Sequence, residues 1–279
     1  MTDLLIKTDT QAVAPRKSAR KIPGHWQRNE SFYLGLFAVI AFLIFWEMSV
    51  VWKLVNPLFT SSPVRIIRAG HAVFADGSIY NDLSVSGIEF ALGYGLAVVI
   101  GVPMGILMGW YKRLNALCEP FVNALYATPR IALMPLIIIW FGVDLSSKVA
   151  IIFLSTVFPI LVNTMTGVRT IDRDFVKVAR SFGASDGQLF LTVALPSSVP
   201  NLLTGLRLGL GHALIGIVVG EMYGSSAGIG YMMQTAGATF QTDRVMVGII
   251  IIAVSGMALT QVLKMIEDRF EMWRADSRG

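Results

Sequence analysis

KVARSFGASDGQLFLTVALPSSVP, residues 177–200, carries three charges, two glycines and two prolines between runs that hold almost no charge. A segment this polar cannot lie among lipid tails, whereas its neighbours can. On its N-terminal side residues 149–168 contain no Asp, Glu, Lys or Arg; on its C-terminal side residues 201–220 contain only Arg207. Further out, residues 90–111 and 245–263 are equally free of charge, 32–52 contain only Glu47, and 114–142 contain Glu119 and Arg130. Each run is near or above the ~20 residues a helix needs to cross a bilayer. The chain therefore reads as an all-α membrane protein with six transmembrane helices. Composition agrees, with 54% apolar and 15% charged residues among 279, against the roughly 25% charged of soluble domains. The first run follows a polar, basic stretch and exceeds the ~7–15 apolar residues of a signal core, so it reads as a retained helix.

Six spans put both termini on one side, and the excess of Lys and Arg says which. Sixteen of the 23 basic residues fall on the face that carries the termini, Lys112, Arg113 and the quoted loop; five fall opposite, and Arg130 and Arg207 lie within spans. Both termini and the loop are expected to be cytoplasmic. The organisation is then a cytoplasmic tail over 1–31, a transmembrane domain over 32–266 with its polar loop at about 169–200, and a cytoplasmic tail over 267–279. The net charge of +5 reflects orientation, not nucleic-acid binding. Cys118 is the single cysteine, and His25, His71 and His212 are scattered. That excludes a disulfide framework and gives no metal-ligand spacing.

Within the loop, Asp172 and Asp174 are start signals for a helix through Arg180, Gly183 suits a left-handed turn at its end, and Pro196 limits the next helix. The loop's spacing is Lys177-Val178-Ala179, three residues, Gly183, nine residues, then Val193-Ala194-Leu195-Pro196. This resembles the EAA loop of permease subunits of ATP-binding cassette importers: Glu-Ala-Ala, three residues, Gly, nine residues, Ile-x-Leu-Pro. Ala179, Gly183, Leu195 and Pro196 match, while Lys177 stands where the family has Glu and Val178 where it has the first Ala. Residues 127–150, 201–222 and 225–233 (SSAGIGYMM) are similar to the nitrate, sulfonate and taurine branch, and the likeness covers roughly 57–266.

The resemblance implies a cytoplasmic coupling loop between helices 4 and 5, with Lys177, Val178, Ala179, Gly183, Ala184, Ser185, Asp186, Leu195 and Pro196 docking in a groove of the ATPase. It implies as partners a second copy of the permease, two cytoplasmic P-loop ATPase subunits and a solute-binding protein outside. ATP and Mg would be bound by the ATPase, with no cofactor in this chain. The cargo would be a small anion such as an alkanesulfonate, taurine or nitrate, with an uncharged heterocycle such as a thiamine pyrimidine precursor as the alternative. Independently of the family, no Gly-Lys dipeptide occurs anywhere, so no phosphate-binding G-x-x-x-x-G-K-[ST] can be written and the chain is not itself expected to be an enzyme. An intramembrane enzyme should show a cluster of acids, histidines or metal ligands at bilayer depth, and none is evident. An ion channel would leave the loop spacing unexplained.

Three polar residues in or at the spans are candidates for the translocation path. Arg130 lies 17 residues past Arg113 and 12 before Gly142, and at that depth a charge costs about 2.5–3.5 kcal/mol unless it faces protein or water. It either attracts an anion or serves as a structural ion-pair or carbonyl partner. Glu221 ends the fifth span near the outer face, where pairing is its ordinary use, and His212 lies inside that span, where packing is. Arg207 is placed to snorkel to the cytoplasmic surface, and Glu89 opens the second span. Glycines recur at four-residue spacing, at 101, 105 and 109, at 205 and 209, and at 216 and 220. They suit either close helix packing or a seam between copies. Pro103, Pro129, Pro135 and Pro159 should kink their spans or free carbonyls. Residues 63–82 read as a short outer helix with Val64, Ile67 and His71 on one face, or else as a solvated loop.

Overall fold

The computed structural model describes residues 25–171 and 173–270. Asp172 and the stretches 1–24 and 271–279 lie outside the described residues. The chain divides into two compact units, Met1–Met48 and Ser49–Gly279. Among the described residues all regular elements are helical.

The first unit holds most of α1 (His25–Val51). Residues 32–45 of this helix are exposed on every side, as suits a helix surrounded by lipid. In the second unit come α2 (Pro57–Thr60), α3 (Pro63–Ala75) and α4 (Ser78–Trp110). At 33 residues, α4 is about 50 Å long, far more than the ~30 Å hydrocarbon core. It starts twelve residues before the expected span because Asp76, ahead of it, accepts bonds from Ser78 N (2.9 Å) and Oγ (2.7 Å). Those bonds hold the Asp76 carboxyl below the usual carboxylate range and satisfy one of the helix's free N–H groups.

The expected outer helix exists as α3, but it buries a different face. Ile66 and Val73 are buried, whereas Val64 and Ile67 are 42% and 72% exposed and His71 is exposed. The reason is tertiary. Arg65 Nη2 pairs with Asp243 Oδ2 at 2.9 Å and Ser61 Oγ donates to Asp243 Oδ1 at 2.6 Å, which fixes the rotation of α3 against the last long helix.

The span expected over 114–142 is not one helix. α5 (Lys112–Ala127) ends at Thr128, a single 3₁₀ turn covers Arg130–Leu133, and α6 (Met134–Phe141) follows at an angle of 91°. Pro129 is the cause: it forbids the α region to Thr128, whose ψ is 129°, and offers no N–H to continue the ladder. Gly142, at φ 79°, then turns the chain into α7 (Leu145–Arg169).

After α7 come α8 (Arg173–Ser181), α9 (Asp186–Leu189), a π-helical stretch Phe190–Ala194 that runs into α10 (Leu195–Gly224), α11 (Ile229–Ala238) and α12 (Thr242–Phe270). Among the described residues five helices, α1, α4, α7, α10 with its lead-in, and α12, are long and apolar enough to cross a membrane, and the bent α5–α6 pair makes a sixth if it is taken as one span. The centre is α7, the most buried of them, held between α4 and α10. Gly93, Gly101, Gly105 and Gly109 of α4 face it: a Cβ on Gly105 would lie 2.7 Å from the Leu161 carbonyl oxygen, and one on Gly109 would lie 2.6 Å from Val168 Cβ. Gly205 and Gly209 of α10 do the same on the other side, within 2.9 Å of Asn163 Cβ and Ile160 Cγ1. The glycine spacing therefore serves packing inside the chain. In lipid, where apolar contact has no hydrophobic drive, such approach of backbones is what holds helices together.

Candidate functional site

The loop between α7 and α10 is rigid for local reasons. α8 ends in a paired C-terminal turn: Gly183 N donates to Arg180 O (2.9 Å) and Ala184 N to Ala179 O (3.1 Å), with Gly183 at φ 78°. α9 then opens with a reciprocal cap, in which Ser185 Oγ accepts from Gln188 N (3.3 Å) and Gln188 Oε1 accepts from Ser185 N (2.9 Å). Arg180 reaches over the turn to Asp186 at 3.1 Å, and Lys177 pairs with Asp174 at 2.9 Å. All four side chains are exposed, so these pairs orient the loop more than they stabilise it. Leu189 and Ala194 are buried, Phe190 stacks edge-on against Trp110 of α4 at 5.1 Å, and Pro196 sits in the first turn of α10.

This protrusion also carries apolar side chains that nothing among the described residues covers. Phe175, Val178 and Phe182 are 63%, 55% and 87% exposed. Their spacing of three and then four residues places them on one side of α8. A charged protrusion with one apolar stripe is shaped for a protein partner.

Arg130 stands at the bend between α5 and α6. Its Nη2 donates to Tyr126 O at 3.0 Å and its Cζ lies 5.2 Å from the Tyr126 ring centre, while its Nε is buried without a partner. The guanidinium thus closes the carbonyl end of α5, which Pro129 leaves open, and keeps unused donor capacity. Half-buried His212 on α10 lies within electrostatic range of it. Glu221, the third candidate, is elsewhere. Among the described residues no hydrogen bond joins Arg130 and His212, and Glu221 makes its bonds elsewhere. Arg207 is not simply snorkelling, since it pairs with Glu267 of α12.

Glu221 is fully buried near the C-terminal end of α10. Ser86 Oγ donates to its Oε1, and Gly230 N donates to its Oε2 at 2.5 Å. Ile229 N donates in turn to Ser86 Oγ at 3.0 Å, and Gly228 N to Asp82 Oδ1 at 2.8 Å. Gly228 has φ 117°, and a Cβ there would sit 2.4 Å from Glu221 Cδ. Both glycines of SSAGIGYMM are thereby explained: they bring backbone N–H groups onto the half-buried carboxylate of Asp82 and the buried one of Glu221. Glu89 of α4, 2% exposed, and Lys148 line one small cavity beside this assembly. The Lys148 ammonium, 4% exposed, donates to Val143 O at 2.9 Å. Sequence reasoning missed this assembly, although the repeated glycine after Glu221 was a signal for it.

Residues 98–272 match a family described as the binding-protein-dependent transport system inner membrane component. A Bacillus subtilis protein named SsuC, an aliphatic sulfonates transport permease, is 34% identical over 99% of this chain and 97% of its own. The taurine transport system permease protein TauC of Escherichia coli is 30% identical over 92% and 96%. ThiX of Halalkalibacterium halodurans, a formylaminopyrimidine transport permease, is 31% identical over 83% and 94%. Among solved structures, an amino acid ABC transporter crystallised with histidines aligns with a TM-score of 0.56 at 17% identity, over 71% of this chain and 96% of that one, which shows a shared fold.

Proposed function

Because the chain belongs to the family of binding-protein-dependent transport system inner membrane components, and so is an inner-membrane permease of the ABC transporter kind, we propose that it imports a small organic anion, of which a sulfonate is the foremost class. Two relatives that match over nearly the whole chain are named for sulfonates and for taurine. Arg130, in the bend of α5–α6 with spare donors, supplies positive potential to a passing anion. A fixed cation in a passage of low dielectric attracts an anion more strongly than in water, less the desolvation of both.

The observation that carries the coupling is the stripe Phe175, Val178 and Phe182 on the capped α8–α9 protrusion. An ATPase subunit in the cytoplasm docks on it, binds the ATP and Mg, and passes its movement through the turn at Gly183 into α10. A second copy of the chain completes the path, and a solute-binding protein delivers the cargo from outside.

Uptake into vesicles tests the reading. The tagged chain, isolated from its native membranes, should bring an ATPase with it. Vesicles containing that complex and the solute-binding protein should accumulate labelled ethanesulfonate or taurine on addition of ATP. Phe182→Asp should lose the ATPase while still inserting and folding. A complex that moves no small anion, or that keeps its ATPase after Phe182→Asp, refutes it. An uncharged pyrimidine is the second reading, favoured by the likeness to the formylaminopyrimidine permease, and it requires that Arg130 serve only to close α5.

A further inference from the structure

Helix α3 has three faces. With 3.6 residues to the turn, Ile66, Gly70 and Val73 fall in one sector, Val64, Ile67, His71 and Phe74 in the next, and Arg65 and Arg68 in the third. The first sector is packed: Ile66 and Val73 are buried, and a Cβ on Gly70 would stand 3.7 Å from Val247 Cγ2 of α12. The second is left open by the described residues, with Ile67 72% and Phe74 44% exposed. The bond from Arg65 to Asp243 holds the helix in this rotation, so the open apolar face is fixed in place and not a matter of fraying.

Depth decides what covers it. The uncharged run of α12, residues 245–263, is about 28 Å long, close to the ~30 Å hydrocarbon core, so its ends mark the boundaries of that core. Val247 lies about 3 Å inside the run, which puts Gly70 at the boundary, on the membrane face opposite the α8–α9 loop. Arg65 is tied to Asp243, just ahead of the run, and Asp76, which follows the last turn of α3, lies within electrostatic range of Arg244. Both ends of α3 are therefore level with the first turn of α12, and the helix runs along the boundary instead of across it. A water-soluble partner cannot reach the open face there without entering the acyl chains. Next to that face stands the exposed Arg68, at the height of the lipid phosphates. Phe74 meets Tyr80 edge-on with ring centres 6.2 Å apart, and aromatic side chains of this kind favour the headgroup layer.

We propose that α3 is an interfacial helix that binds the surrounding bilayer, with Val64, Ile67 and Phe74 in the acyl-chain boundary and Arg68 on the phosphate of an anionic phospholipid. Apolar burial and attraction to anionic headgroups are the two terms that hold such helices. The lipid braces α3 and, through Asp243, the start of α12, whatever solute the chain carries.

The full chain in nanodiscs of phosphatidylcholine and phosphatidylglycerol tests it. A nitroxide attached at Ile67→Cys, in a Cys118→Ala background, should be relaxed by oxygen and shielded from a water-soluble nickel chelate, as a group below the phosphates is. One attached at Ala72→Cys, on the arginine side, should show the reverse. In native mass spectra, phosphatidylglycerol should stay bound to the chain, and Arg68→Gln should weaken it about fivefold while Arg68→Lys keeps most of the affinity. Ile67, Arg68 and Ala72 are all exposed, so none of these variants disturbs the packed face. A label at position 67 open to nickel places α3 in water, and strong dipolar coupling between two such labels makes a second copy of the chain the cover; either result overturns the proposal. Equal phosphatidylglycerol affinity for Arg68→Gln and the parent overturns the phosphate contact.

Discussion

Replacing Gly183 perturbs one turn and nothing else. Its φ is 78° and no atom lies within 4 Å of where a Cβ would stand, so any cost is backbone strain and not collision. For an ordinary side chain the left-handed region costs roughly 1–2 kcal/mol, more for a β-branched one, while Asn visits it readily. The order of severity should be Asn, then Ala, then Val. A strain of about 1–2 kcal/mol changes the population of the native turn by about 5–30-fold. Because the turn is exposed and far from α7, that factor should appear in docking of the ATPase and in coupled uptake, not in the stability of the helix bundle. Affinity for the ATPase measured across Gly183→Asn, Gly183→Ala and Gly183→Val, with thermal unfolding as the control, reads both quantities. Equal affinity for Val and the parent, or an Asn variant as damaged as Val, refutes the assignment of the turn as the transmitting element.

The glycine faces of α4 predict opposite signs on one helix. Gly95→Ala meets nothing within 4 Å and should stabilise by about 0.5–1 kcal/mol, whereas Gly105→Ala meets the Leu161 carbonyl at 2.7 Å and should be about 1–3 kcal/mol worse than Gly95→Ala, as read by unfolding in mixed micelles. At the bend, Arg130→Lys should retain part of the anion uptake and Arg130→Gln should lose most of it, with assembly unchanged in both; failure of both to assemble would make Arg130 structural. Gly228→Ala forces a left-handed φ and a Cβ at 2.4 Å from Glu221 Cδ. It should destabilise by several kcal/mol and deprotect the α11 amides in hydrogen exchange. Asp243→Asn, which weakens the exposed pair with Arg65, should cost no more than about 1 kcal/mol.

The sequence by itself determined where the membrane runs, because lipid demands some 20 apolar residues without a break and every polar connection had to lie outside. It also determined the loop, since Asp174, Gly183, Ser185 and Pro196 act on their own near neighbours through caps and a left-handed turn. What it could not express was direction around each helix. A lipid-facing side chain and a protein-facing one are both apolar, so α4 and α7 show no polar stripe from which a buried face could be read. Only packing revealed that Gly105 and Gly109 of α4 and Gly205 and Gly209 of α10 close on α7, and that α3 turns Ile66 and Val73 inward under the pull of Asp243. Pro129 marked a kink in the sequence but not its size: hydropathy averages over 114–142 and does not register a 91° bend. Ser86, Glu89, Lys148, Glu221 and Gly230 meet across as many as 144 positions of chain, and no local pattern carries that distance. Their meeting is a consequence of which helices touch, and it belongs to the tertiary structure alone.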